Sequence, residues 1–358
     1  HTLRSMNTAD FLVILSALSE PIFLLRANRQ ISLLNRSAEE LFGGGLVGRD
    51  FVHAVRDPDA LKCVEAALGG EPVADAEVTL SVPERTVFRI SAMYLEARDG
   101  LDAEAVVTFT DISPILEAEQ MRSDFVANVS HELRSPLTAL VGGVETLRTT
   151  ARDDEKAREQ FLSIMEREAA RMNRLVGDLL SLSRVEVNAH IRPSAQVNIG
   201  AVVERVVATL ETRSSAQNKS ISFDRKAGKF EIPGDEDELT QVFHNLIDNA
   251  LKYSRKGAEV SVAIRQSEQI EGVEGPAVVV SVSDQGPGIA PEHIPRLTER
   301  FYRVDDSRSR ELGGTGLGLA IVKHVLNRHR GRLQIKSTLG EGSTFEACLP
   351  RYWSGKPA

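Results

Sequence analysis

The chain has 358 residues, 42% of them hydrophobic and 26% charged, which suits two or three domains of a globular protein. Its net charge of −8 speaks against a nucleic-acid partner, which calls for a basic face. The only two cysteines, Cys63 and Cys348, lie far apart and outside any CxxC pattern, which excludes a disulfide framework or a cysteine zinc site and fits a reducing compartment. No apolar run reaches the roughly 18 residues of a membrane-spanning helix. FLVILSAL comes nearest and is cut by Glu20 and Pro21. The opening HTLRSM stands in mid-pattern, as in a segment of a longer chain.

Residues 1–113 mix strands and short helices. FLVILSAL, AEELF and DALKCVEAAL carry helical patterns; PIFLLR, QISLLN, AEVTLSV, TVFRISAMYL and AEAVVTFTDI read as strands separated by turn residues. Such a succession predicts a compact α/β module. Cys63, in helical context, is expected to be a buried structural residue.

From residue 114 to 187 the pattern is helical throughout. Val126, Val129, Leu133, Leu137, Leu140, Val144 and Leu147 recur at intervals of three and four. After the polar break TTARDDEK, the spacing resumes with Phe161, Ile164, Met172, Leu175, Leu179 and Leu182. Two amphipathic helices joined by a short turn predict an antiparallel hairpin. A lone hairpin leaves apolar surface uncovered, and pairing two of them into a four-helix bundle predicts a homodimer; the alternative is a hairpin packed on another domain of its own chain. On this stripe His131 points about 200° round from Val129, at about 100° per residue, so it is expected to be exposed beside Glu132. Pro136 is an anomaly: inside a helix it removes a hydrogen bond at a cost of about 3 kcal/mol.

Residues 188–358 begin with the loop NAHIRPSAQ. Helices are then predicted over 200–216, 236–254 and 316–329, and strands at ISFDR, EVSVAIR, AVVVSVSD, RLQIKST and STFEACLP, giving an α/β sandwich with one mixed sheet. On the second of these helices Asn245, Asn249 and Lys252 share one face. Two amide oxygens and an ammonium suit a metal-phosphate group, and the same stripe also reads as a solvated polar face. VVVSVSDQGPGI runs a strand into Asp284, then Gly286 and Gly288; the carboxylate could accept a hydrogen bond from an exocyclic amine, or simply close an ordinary turn. Gly313, Gly314, Gly316 and Gly318 precede a helix whose N-terminus can hold phosphate. No GK[ST] follows and no strand precedes, so neither a Walker A loop nor a dinucleotide fingerprint fits. The preceding YRVDDSRSREL, polar and aperiodic, reads as a lid.

In order, with Phe301 and Arg303 between the second and third, these pieces resemble the N, G1, F and G2 boxes of the ATP-binding domain shared by histidine kinases, Hsp90 chaperones, gyrase B and MutL. The resemblance implies that Asn249, with Asn245, holds Mg²⁺, that Lys252 and Tyr253 approach the phosphates of ATP, and that Asp284 reads the adenine amine. It implies also that Gly286 and Gly288 let the backbone approach, that Gly314, Gly316, Gly318 and the lid close on the triphosphate, and that Thr344 lines the adenine side. Lys323 and His324 match no box and are taken as outer faces of a helix.

FVANVSHELRSPLTAL resembles the H-box of histidine kinases with a HisKA-type dimerisation and histidine-phosphotransfer domain, through His131, Glu132, Leu133, Arg134, Pro136 and Leu137. By that resemblance His131 takes the γ-phosphoryl group of ATP, Glu132 orients and deprotonates the ring, and an aspartate of a response-regulator receiver domain receives the group. Ser135 stands where the family usually has Thr or Asn, a polar group positioning water for dephosphorylation of the regulator. Residues 1–113 resemble a PAS sensory domain, Asp111 matching the acidic residue that caps its last strand. The whole order is similar to phosphate-regulon-type sensor kinases, usually anchored in the inner membrane by helices upstream of the PAS domain, and implies that this chain is their cytoplasmic portion. The rivals are a conformational ATPase of the same fold and a pseudokinase scaffold; intact His131, Glu132, Asn249 and Asp284 argue against the second.

Overall fold

A computed structural model describes residues 8–81, 85–96, 103–188, 190–216, 218–226, 228–305 and 314–352. The chain divides into two compact units between Val126 and Ala127.

The first unit contains helices α1 (Thr8–Ala17), α2 (Arg36–Phe42) and α3 (Pro58–Leu68) and strands β1 (Ile22–Leu25), β2 (Ile31–Leu34), β3 (Val73–Ser81), β4 (Arg85–Tyr94) and β5 (Ala105–Asp111). The strands form one antiparallel sheet in the order β2-β1-β5-β4-β3. Its core is aromatic: Phe23 meets Phe51 edge to face at 5.5 Å and tilts against Phe109 at 5.6 Å. Cys63 is buried there, as expected, its thiol directed at the Ala74 carbonyl. Asn35, also buried, caps α2 by accepting from the Ala38 N–H, accepts from Ile22 N–H, and donates to the carbonyls of Leu15 and Glu20, so one amide ties α1 to the sheet. Asp111 accepts from the Ser113 N–H at 2.9 Å, closing β5 onto the next helix.

That helix, α4 (Ser113–Arg148), continues without interruption across Val126 into the second unit. With α5 (Glu155–Val187), which Asp154 caps through the Ala157 N–H, it makes the predicted hairpin. At the crossing α4 offers Gly143, where an added Cβ would lie 2.8 Å from Met165. Burial is one-sided. Leu175, Leu182 and Val185 are covered, whereas Val126, Leu137, Val141, Val144, Leu162, Val176 and Leu180 are exposed. Pro136 is buried inside α4, and its missing N–H leaves the Glu132 carbonyl without its helical donor.

The rest of the unit is β6 (Ala195–Asn198), α6 (Ile199–Ala216), β7 (Ser220–Arg225), β8 (Glu231–Gly234), α7 (Glu236–Tyr253), β9 (Glu259–Ser267), β10 (Ala277–Asp284), α8 (Gly318–Arg328), β11 (Arg332–Thr338) and β12 (Gly342–Pro350). The sheet order is β11-β12-β10-β9-β7, antiparallel except for the parallel pair β7–β9, so it is mixed as predicted. β6 and β8 form a separate two-stranded ribbon; β6 begins within the expected loop NAHIRPSAQ, and β8, EIPG, matches no predicted strand. Four residues each, they are too short to show a period. Along α7 the spacing of Leu239, Val242, Phe243, Leu246, Ile247, Ala250 and Leu251 buries one face against the sheet and α8 and turns the polar residues the other way.

Among the described residues no helix is long and apolar enough to cross a membrane.

Candidate nucleotide and phosphoacceptor site

The polar face of α7, the end of β10 and the N-terminus of α8 enclose a cavity of about 730 Å³. Of the residues singled out from sequence, Asn245, Asn249, Lys252, Tyr253, Asp284, Gly288, Arg303, Gly314, Gly316 and Gly318 all line it.

Asp235 caps α7 through the N–H groups of Asp237 and Glu238, and three acidic residues fill its first turn, where they suit the helix dipole. Two turns further on, Asn245 is fixed at both ends of its amide. Its oxygen accepts from Gln241 at 3.1 Å and its nitrogen donates to the Gly318 carbonyl at 3.2 Å, so α7 holds the start of α8. Lys252 pairs with Asp248 at 2.6 Å, an acidic partner one turn earlier that sequence reading passed over.

At the opposite end Asp284 is 9% exposed and accepts from the Gly286 N–H at 2.8 Å. Burial pushes its carboxyl above the usual carboxylate range, opposed by the backbone N–H groups of Gly286 and Ser343. Gly286 supports this carboxylate from behind the cavity wall. Gly288 has φ +69°, and a Cβ there would fall 2.0 Å from the Thr338 carbonyl oxygen. Gly288→Ala is therefore expected to destabilise the unit by about 3 kcal/mol, measured by chemical denaturation, with nucleotide binding lost in parallel.

Phe301 also supports the wall. Its backbone lies under Gly316 (φ +74°), donating to the Gly316 carbonyl at 2.9 Å, and a Cβ on Gly316 would meet the Phe301 Cα at 2.8 Å. Thr344 requires a correction. Side chains alternate along β12, and since Ser343 pairs with Asp284, it is Ser343 and Phe345 that face the cavity. Thr344 lies on the other face, sharing a 2.8 Å hydrogen bond with Ser283. Gly313 and most of the expected lid, residues 306–313, lie outside the described residues.

The hairpin supplies part of the wall as well, through Arg174, Gly177, Asp178 and Ser181 of α5. Thr315 donates to Asp178 at 2.6 Å. Burial raises the Asp178 carboxyl; the Thr315 hydrogen bond and Lys252 oppose the rise. His131 and Ser135 are exposed on α4, and neither lines the cavity. Glu132 makes the connection: its Oε2 accepts from Arg303 at 3.0 Å, and Arg303 also donates to the Gly314 carbonyl at 2.9 Å. At the far end of α5, Arg300 pairs with Glu186, and Arg328 donates to the carbonyls of Asn188 and Ile191. His324, half-buried and with its pKa lowered by burial, stands 3.8 Å from Glu186, so it meets the hairpin and is not the plain outer face expected.

A buried carboxylate at one end, Lys252 and Arg303 with a helix N-terminus at the other, and an exposed imidazole on the abutting hairpin define a nucleotide-using phosphotransferase. Residues 234–352 match the family described as histidine kinase-, DNA gyrase B- and HSP90-like ATPase, and residues 121–188 match the His Kinase A (phospho-acceptor) domain. The chain belongs to the sensor histidine kinases and is a protein-histidine kinase that uses ATP. It is 36% identical over 333 residues to the phosphate regulon sensor protein PhoR of Pseudomonas aeruginosa, covering 92% of this chain and 72% of that one. It is likewise 36% identical over 329 residues to the sensor-like histidine kinase SenX3 of Mycobacterium tuberculosis, covering 90% and 75%. The solved structure of histidine kinase ThkA in complex with response regulator protein TrrA aligns at a TM-score of 0.50 and 20% identity over 93% of this chain and 96% of that one, a likeness of fold alone.

Proposed function

We propose that this chain phosphorylates His131 from ATP and passes the phosphoryl group to an aspartate of a response-regulator receiver domain. The observation that carries the reading is the Arg303–Glu132 bond, which joins the nucleotide cavity to the residue beside an exposed histidine. The His131 Nε2 lone pair attacks the γ-phosphorus in line, the bond to the bridging oxygen breaks, and ADP leaves with that electron pair. The Nδ1 proton passes to Glu132. Asp284 reads the adenine amine, and Lys252, Arg303 and the N-terminus of α8 hold the phosphates.

The donor set fits Mg²⁺. Asn249 and Asn245 offer neutral oxygens that would hold the ion alongside nucleotide phosphates. When bound it would neutralise phosphate charge.

The exposed apolar stripe of α4 and α5 supports a homodimer built as a four-helix bundle. Residues 1–113, 114–187 and 188–358 are read as PAS-like sensory, phosphotransfer and ATP-binding domains. The sheet order of the first unit supports this, and the unbroken α4 supports relay of a signal toward His131. Anchoring by upstream membrane helices, with this chain as the cytoplasmic portion, rests on the likeness to phosphate-regulon kinases.

The test is incubation with γ-labelled ATP and Mg²⁺. Acid-labile, alkali-stable label on the protein supports the reading; steady ATP hydrolysis without label favours a conformational ATPase, and nucleotide binding with neither favours a scaffold. Ser135 serves the reverse task, dephosphorylation of the regulator. Its hydroxyl lacks the methyl group that restricts a Thr rotamer. Ser135→Thr is expected to speed regulator dephosphorylation about 3- to 10-fold while autophosphorylation stays within twofold, measured with labelled phospho-regulator.

A further inference from the structure

Arg171 lies on α5, outside every motif of the nucleotide site. It is 7% exposed, and a guanidinium so buried has to find an anion. It finds Glu132, whose Oε2 accepts from it at 2.5 Å, with Glu168 more distant at 3.7 Å. That same Oε2 accepts from Arg303 at 3.0 Å, so one carboxylate oxygen carries two guanidinium groups.

The two differ in where they are tethered. Arg303 belongs to the nucleotide cavity, and its buried Nε has no hydrogen-bond partner among the described residues. A polyphosphate entering the cavity offers Arg303 more charge and more acceptor oxygens than Glu132 does. Arg171 does not line the cavity and shares the hairpin with Glu132, so phosphate does not compete for it. The backbone gives Glu132 less support than usual, because Pro136 donates nothing to its carbonyl. The anchor is on the side chain.

We propose that Arg171 is a positioning residue for phosphorylation of His131: it holds Glu132 by Oε2 on the hairpin while Arg303 is given up to the nucleotide. The inference rests on the reading of His131 and Glu132 above. With Oε2 held, Oε1 is the oxygen left to take the imidazole proton.

The test is single-turnover labelling of the full chain carrying Arg171→Gln or Arg171→Ala, over a range of ATP concentrations, with thermal unfolding as the check of fold. Arg171→Gln is expected to lower kcat about 10- to 100-fold with KM for ATP within twofold of wild type. A merely structural role would leave the kcat of the folded fraction unchanged. Should Arg171→Ala fail to fold, Arg171→Gln, of similar length and neutral, decides alone. A folded Gln variant with wild-type kcat overturns the proposal, as does one whose KM rises while kcat holds. Absence of label on the wild type, or label surviving His131→Ala, would instead overturn the kinase reading on which this one stands.

Discussion

His131→Ala is expected to remove all acid-labile label while nucleotide affinity stays within twofold of wild type. The two halves of this result have separate causes. His131 is the only imidazole of the H-box, and its neighbours Glu132 and Ser135 form no stable phosphoamidate, so no other group there inherits the phosphoryl transfer. The ring is exposed on α4 and takes no part in the cavity wall, so its removal leaves Asp284, Lys252 and Arg303 as they were. Exposed substitutions of this kind change stability by about 0.5 kcal/mol or less, so the loss cannot be put down to unfolding. Label and binding are measured on the same preparation, the first by acid lability and the second by displacement of a fluorescent nucleotide. Label that persists would move the phosphoacceptor elsewhere and with it the role given to Glu132.

Much of the cavity was legible in the sequence because its residues are regularly spaced. The apolar period of α7 fixes which way Asn245, Asn249 and Lys252 face, and a run of Val and Ser ending in Asp284 can hardly be anything but a strand reaching a turn. Thr344 went astray by one residue, and in a strand one residue exchanges the two faces. The register Asp284–Ser343, which corrects it, is a property of the sheet. The hairpin's share was not legible at all. Thr315 and Asp178 are 137 residues apart, Arg303 and Glu132 are 171 apart, and LVGDLL gives no sign that its aspartate will meet a glycine-rich turn. Such pairs come from packing of one surface on another, and charged residues on an amphipathic helix read as solvated until that packing is known. The same holds for Arg171, which local sequence presents as one more arginine in a helix rich in them.

Asp284→Asn is expected to weaken nucleotide binding by about 2–3 kcal/mol, or about 30- to 150-fold. Asparagine keeps the size of the side chain and an oxygen for the Gly286 N–H, so the turn survives. Its other end then presents an amide N–H₂ to the adenine amine, donor against donor, in a site too buried for water to relieve it. Titration with a fluorescent ATP analogue measures the loss, and unchanged affinity would place the adenine elsewhere. This variant keeps His131, and His131→Ala keeps the ATP site, so mixed dimers of the two ask whose histidine each ATP domain serves. Within one chain Arg303 already bonds Glu132, and Thr315 bonds Asp178, so each ATP domain rests on its own hairpin beside its own His131. The mixture is therefore expected to stay as weakly labelled as Asp284→Asn alone. Strong label on the Asp284→Asn chain would mean that the ATP domain leaves these contacts and reaches across the dimer.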